Sequence, residues 1–336
     1  MGISAIITAI IAFGVSALLG VWLVPFLHKL KYGQTILDIG PSWHKNKQGT
    51  PTMGGIMFIV GSLIAIITGL IIFSAQGGRL FDGAGSIYTI RMIAGVIMAL
   101  AYGFTGFIDD YIKVVKKRNL GLTVTQKLVS QITIAALYLL AMYLYGDRST
   151  TLVIPFIGQW DIGIFYYIFA MILIVGAVNA TNLTDGIDGL AGSVTFTASL
   201  ALCIISGILS FAASGLVSIA LAGGCLGFLV WNFYPAKTFM GDTGSLFLGG
   251  MIVALCFAIG LPVLWFFVGI IYLIEAFSVI LQVISFKTTG KRIFKMSPIH
   301  HHFELSGWSE VKIVTVFVLI TAVFAVLGIV GTMMVS

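Results

Sequence analysis

The chain has 336 residues, of which 59% are hydrophobic and 9% are charged, and its formal net charge is +6. A soluble domain carries about 25% charged residues. This composition, with a mean hydropathy of +1.10, therefore excludes a water-soluble globular protein and indicates a surface that mostly faces lipid. The three cysteines lie inside apolar runs and form no CxxC pair, so we expect no disulfide.

Ten apolar runs follow one another along the chain, each close to the length of about 20 residues that crosses a bilayer. They are residues 3–27, 53–73, 88–108, 127–145, 162–179, 190–210, 215–232, 244–260, 262–285 and 311–334. No basic residue precedes the first run, which favours a retained helix over a signal peptide. We expect a single all-α polytopic membrane domain, residues 1–336, with ten transmembrane helices.

Lysine and arginine are divided unequally between the loops. The loops after the odd-numbered runs, with the adjoining helix ends, hold 15 of the 18, and Arg79, Arg91 and Arg148 make up the other 3. Because basic residues are retained in cytoplasmic loops, this division predicts that the odd-numbered loops are cytoplasmic. Both termini would then be extracytoplasmic.

Two adjacent aspartates, Asp109 and Asp110, end the third run on the predicted cytoplasmic face. Adjacent carboxylates repel each other, and the dipole at a helix C-terminus also opposes them, so a bound cation would relieve both costs. The alternative is a solvated pair that nearby lysines such as Lys113 neutralise.

The sequence NLTDGIDGL, residues 182–190, precedes the sixth run. Asp185 and Asp188 are three residues apart and would share one face of a helix. Gly186 and Gly189 would let the backbone approach a ligand closely. The alternative is an Asx-type helix cap with glycine turns.

The sequence FMGDTGSL, residues 239–246, precedes the eighth run. Its glycines and hydroxyl groups indicate a loop that presents backbone N–H groups at a helix N-terminus, which is an anion site. Asp242 would repel a phosphate there unless a metal bridged them, and oxygen ligands with phosphate favour Mg²⁺. The alternative is a simple N-cap formed by Asp242 or Thr243.

Three consecutive histidines, His300–His302, lie in the last predicted cytoplasmic loop. Consecutive residues cannot all face one ion and zinc spacing is absent, so phosphate recognition or acid–base chemistry is favoured. Glu304 could orient one of the rings. The alternative is a polar interfacial loop.

Two further features lie in the ninth run and in the segment that follows it. Glu275 lies in the middle of the run, and we interpret it as an interhelical polar contact. Lys287, Lys291 and Lys295 recur every four residues, which on a helix would form a basic stripe suited to anionic lipid headgroups. Ordinary retention of basic residues in the cytoplasm would also explain them.

Five segments stand out together: GTPTMGG at 49–55, DDYIK at 109–113, NATNLTDGIDGL at 179–190, NFYPAKTFMGDTG at 232–244 and PIHHHFEL at 298–305. In this order they closely resemble the phospho-N-acetylmuramoyl-pentapeptide-transferase family. The wider superfamily of polyprenyl-phosphate N-acetylhexosamine-1-phosphate transferases shares the aspartates, whereas the first and last segments are specific to this family. Lys113 departs from the looser DDxxD pattern of the superfamily.

The resemblance implies a homodimer in the bacterial inner membrane that depends on Mg²⁺ and has its active site on the cytoplasmic face. It implies transfer of phospho-MurNAc-pentapeptide from its UDP carrier to undecaprenyl phosphate, which gives lipid I and UMP in peptidoglycan synthesis. No nucleic-acid partner is expected.

The resemblance also implies residue roles. Asp109, Asp110, Asp242 and His300 would be catalytic. Asp242 would bind the metal with Asp109 and Asp110 as further candidates, and Asp109 is favoured to deprotonate or position the lipid phosphate. A covalent aspartyl intermediate is the rival scheme. The implied substrate contacts are Lys47, Thr52, Lys113, Lys117, Lys127, Asn179, Asn182, Asp185, Asp188, Asn232, Phe239, His301 and His302.

Two alternative functions are considered. A sister transferase would use UDP-GlcNAc with the same chemistry, and the two specific segments argue against it. A transporter would place ionisable residues near the membrane midplane in broken helices, whereas most charges of this chain cluster at one predicted face.

Overall fold

The structure, a computed structural model, describes residues 2–29, 47, 49–80, 86–115 and 121–335. Within them it contains twelve helices and one β-hairpin. In chain order these are α1 (Gly2–Lys29), α2 (Gly55–Ala75), α3 (Ser86–Val115), α4 (Val124–Tyr145), β1 (Thr151–Ile154), β2 (Gly158–Asp161), α5 (Phe165–Thr184), α6 (Leu190–Ile208), α7 (Ala212–Asn232), α8 (Gly241–Ala258), α9 (Trp265–Val268), α10 (Ile270–Thr289), α11 (Ile299–Glu304) and α12 (Glu310–Met333).

Ten of these helices, all except α9 and α11, are long and apolar enough to cross a membrane. Each overlaps one of the ten apolar runs, so the predicted number of spans is confirmed for the described residues. Their outward faces carry large exposed aliphatic side chains such as Ile97, Ile172 and Leu319. Such a surface is stable against lipid rather than water.

Helix α8 lies at the centre of the bundle, where nearly all of its side chains are buried. It packs most extensively against α3, and α2 and α5 also contact it. A Cβ on Gly106 of α3 would lie 2.1 Å from the carbonyl oxygen of Asp242, and one on Gly250 of α8 would lie 3.0 Å from Cα of Ala99. Helices in lipid associate through close van der Waals packing, so these glycines set the separation of α3 and α8.

The predicted all-α class is incomplete, because a two-stranded hairpin connects α4 to α5. Its strands pair antiparallel, with Thr151 opposite Asp161 and Ile154 opposite Gly158. Four residues per strand are too few to show a reliable alternation in the sequence, which is why the hairpin was not predicted.

The structure also corrects the position of the aspartate pair. Helix α3 continues to Val115, so Asp109 and Asp110 lie within the helix rather than at its end. The expected cost from a C-terminal helix dipole therefore does not describe their environment. Their carboxylates are buried against the start of α8 instead.

Two expectations for the ninth run are wrong as well. Gly269 divides it into the short helix α9 and the longer α10, after a 3₁₀ turn at Pro262–Leu264. Helix α10 ends at Thr289, and Gly290 follows in the left-handed region with φ 69°. Lysines beyond this point cannot continue the helix face of Lys287, so the predicted basic stripe does not form.

Gly106→Ala should destabilise the protein, because the added methyl group would overlap the backbone of α8 and force the helices apart. Overpacking of this kind costs roughly 1–3 kcal/mol. Thermal unfolding in detergent, followed by tryptophan fluorescence, should show a lower Tm for this variant. Gly14→Ala is the matched control, since a Cβ on Gly14 has no atom within 4 Å. Equal Tm values for the two variants would contradict the packing argument.

Candidate active site

The candidate active site lies where α3 meets the first turn of α8. Asp109 and Asp110 come from α3 and Asp242 comes from α8, and one oxygen of each carboxylate lies within 4.8 Å of the other two. Asp109 and Asp110 are only 1% and 2% exposed. Three carboxylates this close repel one another unless cations or N–H groups offset their charge.

The charge of Asp110 is offset by the N-terminus of α8. Its Oδ1 accepts a hydrogen bond from the backbone N–H of Asp242 at 3.2 Å, and its Oδ2 accepts from the N–H and hydroxyl of Thr243 at 2.9 and 2.6 Å. These N–H groups have no partner within the helix, and the helix dipole favours an anion there. Asp110 thus caps α8 from a neighbouring helix, so the alternative that Asp242 or Thr243 caps it is wrong.

Two lysines offset the charge of the other two aspartates. Lys127 Nζ lies 2.5 Å from Asp242 Oδ2 and 3.3 Å from Asp109 Oδ1. Lys113 Nζ lies 3.1 Å from Asp242 Oδ2 and 2.5 Å from Asp109 Oδ2. Lys113 is one turn after Asp109 on α3, whereas Lys127 comes from the first turn of α4, which a capping box at Thr123 holds in place.

The segment Gly49–Gly55 packs against the residues that lead into α8. The backbone N–H of Phe239 donates to the carbonyl of Pro51 at 2.8 Å, and the N–H of Gly54 donates to the carbonyl of Phe239 at 2.8 Å. These hydrogen bonds fix the two segments side by side. The specific motif of the sequence is therefore part of the wall of the candidate site.

Close backbone contact explains the glycines at this junction. A Cβ on Gly55 would lie 2.4 Å from Cα of Gly244. Gly241 adopts φ 71°, and a Cβ there would lie 2.4 Å from Asp110 Oδ2 and 2.6 Å from Thr52 Oγ1. The hydroxyl of Thr52 is thus placed beside the aspartate cluster.

Asp185 and Asp188 lie in the turn between α5 and α6, not on one helix face as predicted. Asp188 Oδ1 pairs with Lys47 Nζ at 2.7 Å, and its Oδ2 accepts from the N–H of Ala236 at 2.8 Å. Lys47 Nζ also lies 2.6 Å from Glu310 Oε2, which accepts from the N–H of Asp188 at 2.9 Å. Two carboxylates thus share the charge of Lys47, and this network joins the turn to α12.

Asp185 behaves differently from its neighbour. Its carboxyl is half-buried and has no hydrogen-bond partner among the described residues. Burial, together with the nearby carboxylates of Asp242, Asp110 and Asp188, raises the pKa of Asp185 to about 8. At neutral pH this carboxyl is therefore mostly protonated and can donate a hydrogen bond.

Two predicted asparagines lie one turn apart on α5. Asn182 Nδ2 donates to Asp242 Oδ1 at 2.8 Å and to Ser245 Oγ at 2.8 Å, so this residue belongs to the aspartate cluster. Asn179 Nδ2 instead donates to Oε1 of Gln131 at 2.7 Å. The amide of Asn179 is therefore engaged between α4 and α5.

Asn232 and Phe239 flank the cluster on the α7 side. Asn232 is buried, accepts from the N–H of Gly189 at 3.1 Å and donates to the carbonyl of Thr238 at 2.9 Å. Its amide holds the two segments in place. Phe239, which follows Thr238 directly, is only partly buried.

The three consecutive histidines have different partners. Nδ1 of His300 lies 3.0 Å from Oε1 of Glu275, and Nδ1 of His301 lies 2.6 Å from Oε2 of Glu304. Nδ1 of His302 accepts from a backbone N–H at 3.2 Å. The expected orientation of one ring by Glu304 is confirmed, and the interhelical contact expected of Glu275 is made with His300 in α11.

The donor set fits a hard divalent cation. Three carboxylates offer oxygen atoms within 4.8 Å of one another, and such oxygens are the ligands that Mg²⁺ and Ca²⁺ prefer. The ammonium groups of Lys113 and Lys127 already contact oxygens of this cluster, which shows that the cluster attracts cations. The oxygens of Asp110 accept hydrogen bonds from the start of α8, whereas Asp242 and Asp109 pair with lysine ammonium groups that a metal ion could displace. Asp242, followed by Asp109, is therefore the better candidate ligand.

Sequence analysis missed Glu310 and Gln131. Glu310 directly follows the N-cap Ser309 in the first turn of α12. In the sequence, an acidic residue at this position indicates only a favourable helix start. Gln131 lies in the middle of an apolar run, where its polarity was the only sign of a partner. The predicted residue Lys117 lies outside the described residues.

Comparison with known proteins gives consistent results. Residues 92–260 match the family model described as Glycosyl transferase family 4, and residues 47–59 match Phospho-N-acetylmuramoyl-pentapeptide-transferase signature 1. The chain is 46% identical to the phospho-N-acetylmuramoyl-pentapeptide-transferase of Heliobacterium modesticaldum over 95% of both chains. It is 47% identical to that of Bacillus pumilus and 46% identical to that of Bacillus subtilis, in each case over 96% of both chains.

Asp185→Asn should raise the Tm, and more so at higher pH. The folded protein keeps the Asp185 proton up to about pH 8, whereas an unperturbed carboxyl loses it near 3.8. The wild-type side chain therefore destabilises the fold increasingly as pH rises through this window, and asparagine does not. Scanning fluorimetry should show a Tm difference between variant and wild type that grows from pH 5 to pH 8.

Asp161→Asn in the hairpin is the control for this prediction. Hydrogen bonds from Thr150 and Gly163 lower the pKa of Asp161, so that group does not titrate between pH 5 and pH 8. Its Tm difference should stay constant over this range. A constant difference for Asp185→Asn as well would contradict the account of the turn.

Proposed function

Because this chain belongs to the phospho-N-acetylmuramoyl-pentapeptide-transferase family, we propose that it transfers phospho-MurNAc-pentapeptide from its UDP carrier to undecaprenyl phosphate. The products are lipid I and UMP, in the first membrane step of peptidoglycan synthesis. The observation that carries the proposal is that the family signature, residues 47–59, packs against the residues that lead into α8 and Asp242. The part of the chain specific to the family thus forms part of the candidate site.

Asp242 is the proposed ligand of Mg²⁺, and Asp109 and Asp110 lie beside it. When bound, Mg²⁺ would supply positive charge to the pyrophosphate and to the UMP leaving group. Asp110 would serve by holding the N-terminus of α8, and hence Asp242, in position. This division follows from the hydrogen bonds that Asp110 makes to Asp242 and Thr243.

The two lysines would neutralise the phosphate groups of both substrates. Lys113 and Lys127 each contact two carboxylates of the cluster. When a substrate phosphate enters, either ammonium group could exchange a carboxylate oxygen for a phosphate oxygen. The positive charge of the lysine would then offset the negative charge of the phosphate. Phosphoryl transfer depends mostly on such positioning and charge stabilisation.

Asp109 is the proposed group that deprotonates or positions the lipid phosphate. Its Oδ1 accepts from the N–H of Leu122 at 2.7 Å, which fixes the carboxylate, while both oxygens of Asp110 serve α8. The same placement of Asp109 would suit a covalent aspartyl intermediate, and the two schemes predict different stereochemistry at phosphorus. Inversion would support direct attack, and retention would support the covalent scheme.

The nucleotide would bind beside the cluster. The partly exposed ring of Phe239 can stack on uracil. Protonated Asp185 offers a hydrogen-bond donor to the nucleotide, and the side-chain oxygen of Asn182, whose Nδ2 is already engaged, offers an acceptor. Thr52 and the histidines His300–His302 would contact phosphates or the sugar. Lys47, Asp188 and Asn232, with Asn179, would shape the pocket through the hydrogen bonds and ion pairs that they already make.

The site would face the cytoplasm of a bacterial inner membrane, with both chain termini outside. Support comes from the unequal division of lysine and arginine between loops. Nearly all buried hydrophobic residues in the described part of the chain belong to one cluster, which supports a single domain over residues 1–336. We also expect the homodimer that the sequence resemblance implies.

Release of UMP by purified protein in detergent tests the proposal. We expect release only when UDP-MurNAc-pentapeptide, undecaprenyl phosphate and Mg²⁺ are all present, and none with EDTA. Asp242→Asn should reduce turnover by roughly a thousandfold or more while the protein still unfolds cooperatively, since the proposed metal ligand and a carboxylate partner of both lysines are lost together. Near-normal turnover in that variant would contradict the metal role, and turnover with UDP-GlcNAc instead would identify the sister reaction.

Cysteine labelling in intact cells tests the topology. Ser149→Cys, between α4 and β1, should react with a membrane-impermeant maleimide added outside, whereas Thr288→Cys at the end of α10 should react only after lysis. Both side chains are exposed, and the wild-type protein, whose cysteines lie within α6, α7 and α8, is the blank. The opposite pattern would reverse the proposed orientation.

A further inference from the structure

A buried carboxylate–imidazole pair links the middle of α10 to α11. Glu275 and His300 are both 0% exposed, and Nδ1 of His300 lies 3.0 Å from Oε1 of Glu275. The other oxygen of Glu275 and Nε2 of His300 are also buried. Neither has a hydrogen-bond partner within the described part of the chain.

The burial of the Glu275 carboxylate and the His300 ring costs free energy. A buried carboxylate is costly unless it is paired, and buried polar atoms without partners are rare in native proteins. His300 is the group that Glu275 contacts, so the carboxylate depends on this ring. An apolar pair of similar size would fill the same space at less cost, which indicates that the pair serves the ring rather than the fold.

The ring orientation that results is specific. Because Nδ1 faces the carboxylate, Nε2 points away from it, toward the turn between α5 and α6. A Cβ on Gly186 would lie 2.2 Å from Nε2, so a glycine is needed for the ring to lie there. Gly186 follows Asp185 directly, and the turn borders the aspartate cluster.

The neighbouring histidines, His301 and His302, have partners close to them in the sequence. His301 pairs with Glu304 of its own short helix, and His302 accepts a backbone N–H from the preceding loop. In the part of the chain that the structure describes, His300 is held by a side chain from a membrane-spanning helix. Its position is therefore tied to the rigid bundle rather than to the loop.

We propose that Glu275 is a positioning residue that keeps the hydrogen of His300 on Nδ1 and directs Nε2 toward the Asp185–Asp188 turn. A carboxylate accepts hydrogen bonds and cannot donate them, so it selects the Nδ1–H form of the ring. Nε2 is then left without hydrogen, as an acceptor beside the turn that borders the aspartate cluster. The kinetic consequence rests on the proposed transferase function, whereas the state of the ring does not.

Nitrogen-15 NMR of protein labelled only at histidine tests the state of the ring. His300→Ala identifies the signals of His300 by their disappearance. In wild-type protein we expect Nδ1 of His300 to be protonated. In Glu275→Gln the amide can either accept from or donate to Nδ1, so both tautomers should appear. A wild-type Nδ1 without hydrogen, or the same single form in both proteins, would overturn the proposal.

Kinetics of single and double variants test whether Glu275 acts through His300. Glu275→Gln should lower kcat at least tenfold in the wild-type background and less than twofold in the His300→Ala background. An equal fall in both backgrounds would assign Glu275 a purely structural role. Ser278→Ala is the matched control, because Ser278 is buried on the same helix. Its hydroxyl donates to the backbone carbonyl of Glu275 and not to the carboxylate, so kcat should be unchanged. Transferase activity absent from wild-type protein would count against the proposed function and leave the NMR result standing.

Discussion

The close approach of α3 to α8 is the constraint on which the candidate site depends. Gly106 lets the backbone of Asp242 come against α3 with no side chain between them. Asp109 and Asp110, one turn further along α3, then meet the first turn of α8. A larger residue at this crossing would separate the carboxylates, whatever their own surroundings. The packing of two apolar helices thus determines where the charged groups meet.

Charge balance follows from that geometry. Asp110 is stabilised by the N-terminus of α8, and Asp109 and Asp242 are stabilised by Lys113 and Lys127. In a medium of low dielectric constant each of these contacts is stronger than it would be in water, and a missing partner is correspondingly costly. In the function that we propose, an incoming cation and incoming phosphates would exchange partners with groups that are already paired.

Sequence alone predicted the spans and the segments of the site, because long apolar runs and costly charged residues are visible without a structure. Partners were harder to predict. Asp110 was expected at a helix end, but it caps a different helix, and no local pattern shows a cap that comes from another element. Asp185 and Asp188 were placed on a helix face because their spacing allows it, yet the two glycines between and after them favour a turn. Glu275 was recognised as unusual, but its partner is 25 residues away in the sequence and depends on how α11 packs.

Binding of Mn²⁺, a paramagnetic substitute for Mg²⁺, tests the central claim that packing of α3 on α8 builds a cation site. Electron paramagnetic resonance of purified protein would count bound ions without any substrate. We expect one site per chain in wild-type protein and in Glu275→Gln, with binding lost in Asp242→Asn and strongly weakened in Gly106→Ala. Unchanged binding in both of the last two variants would contradict the claim.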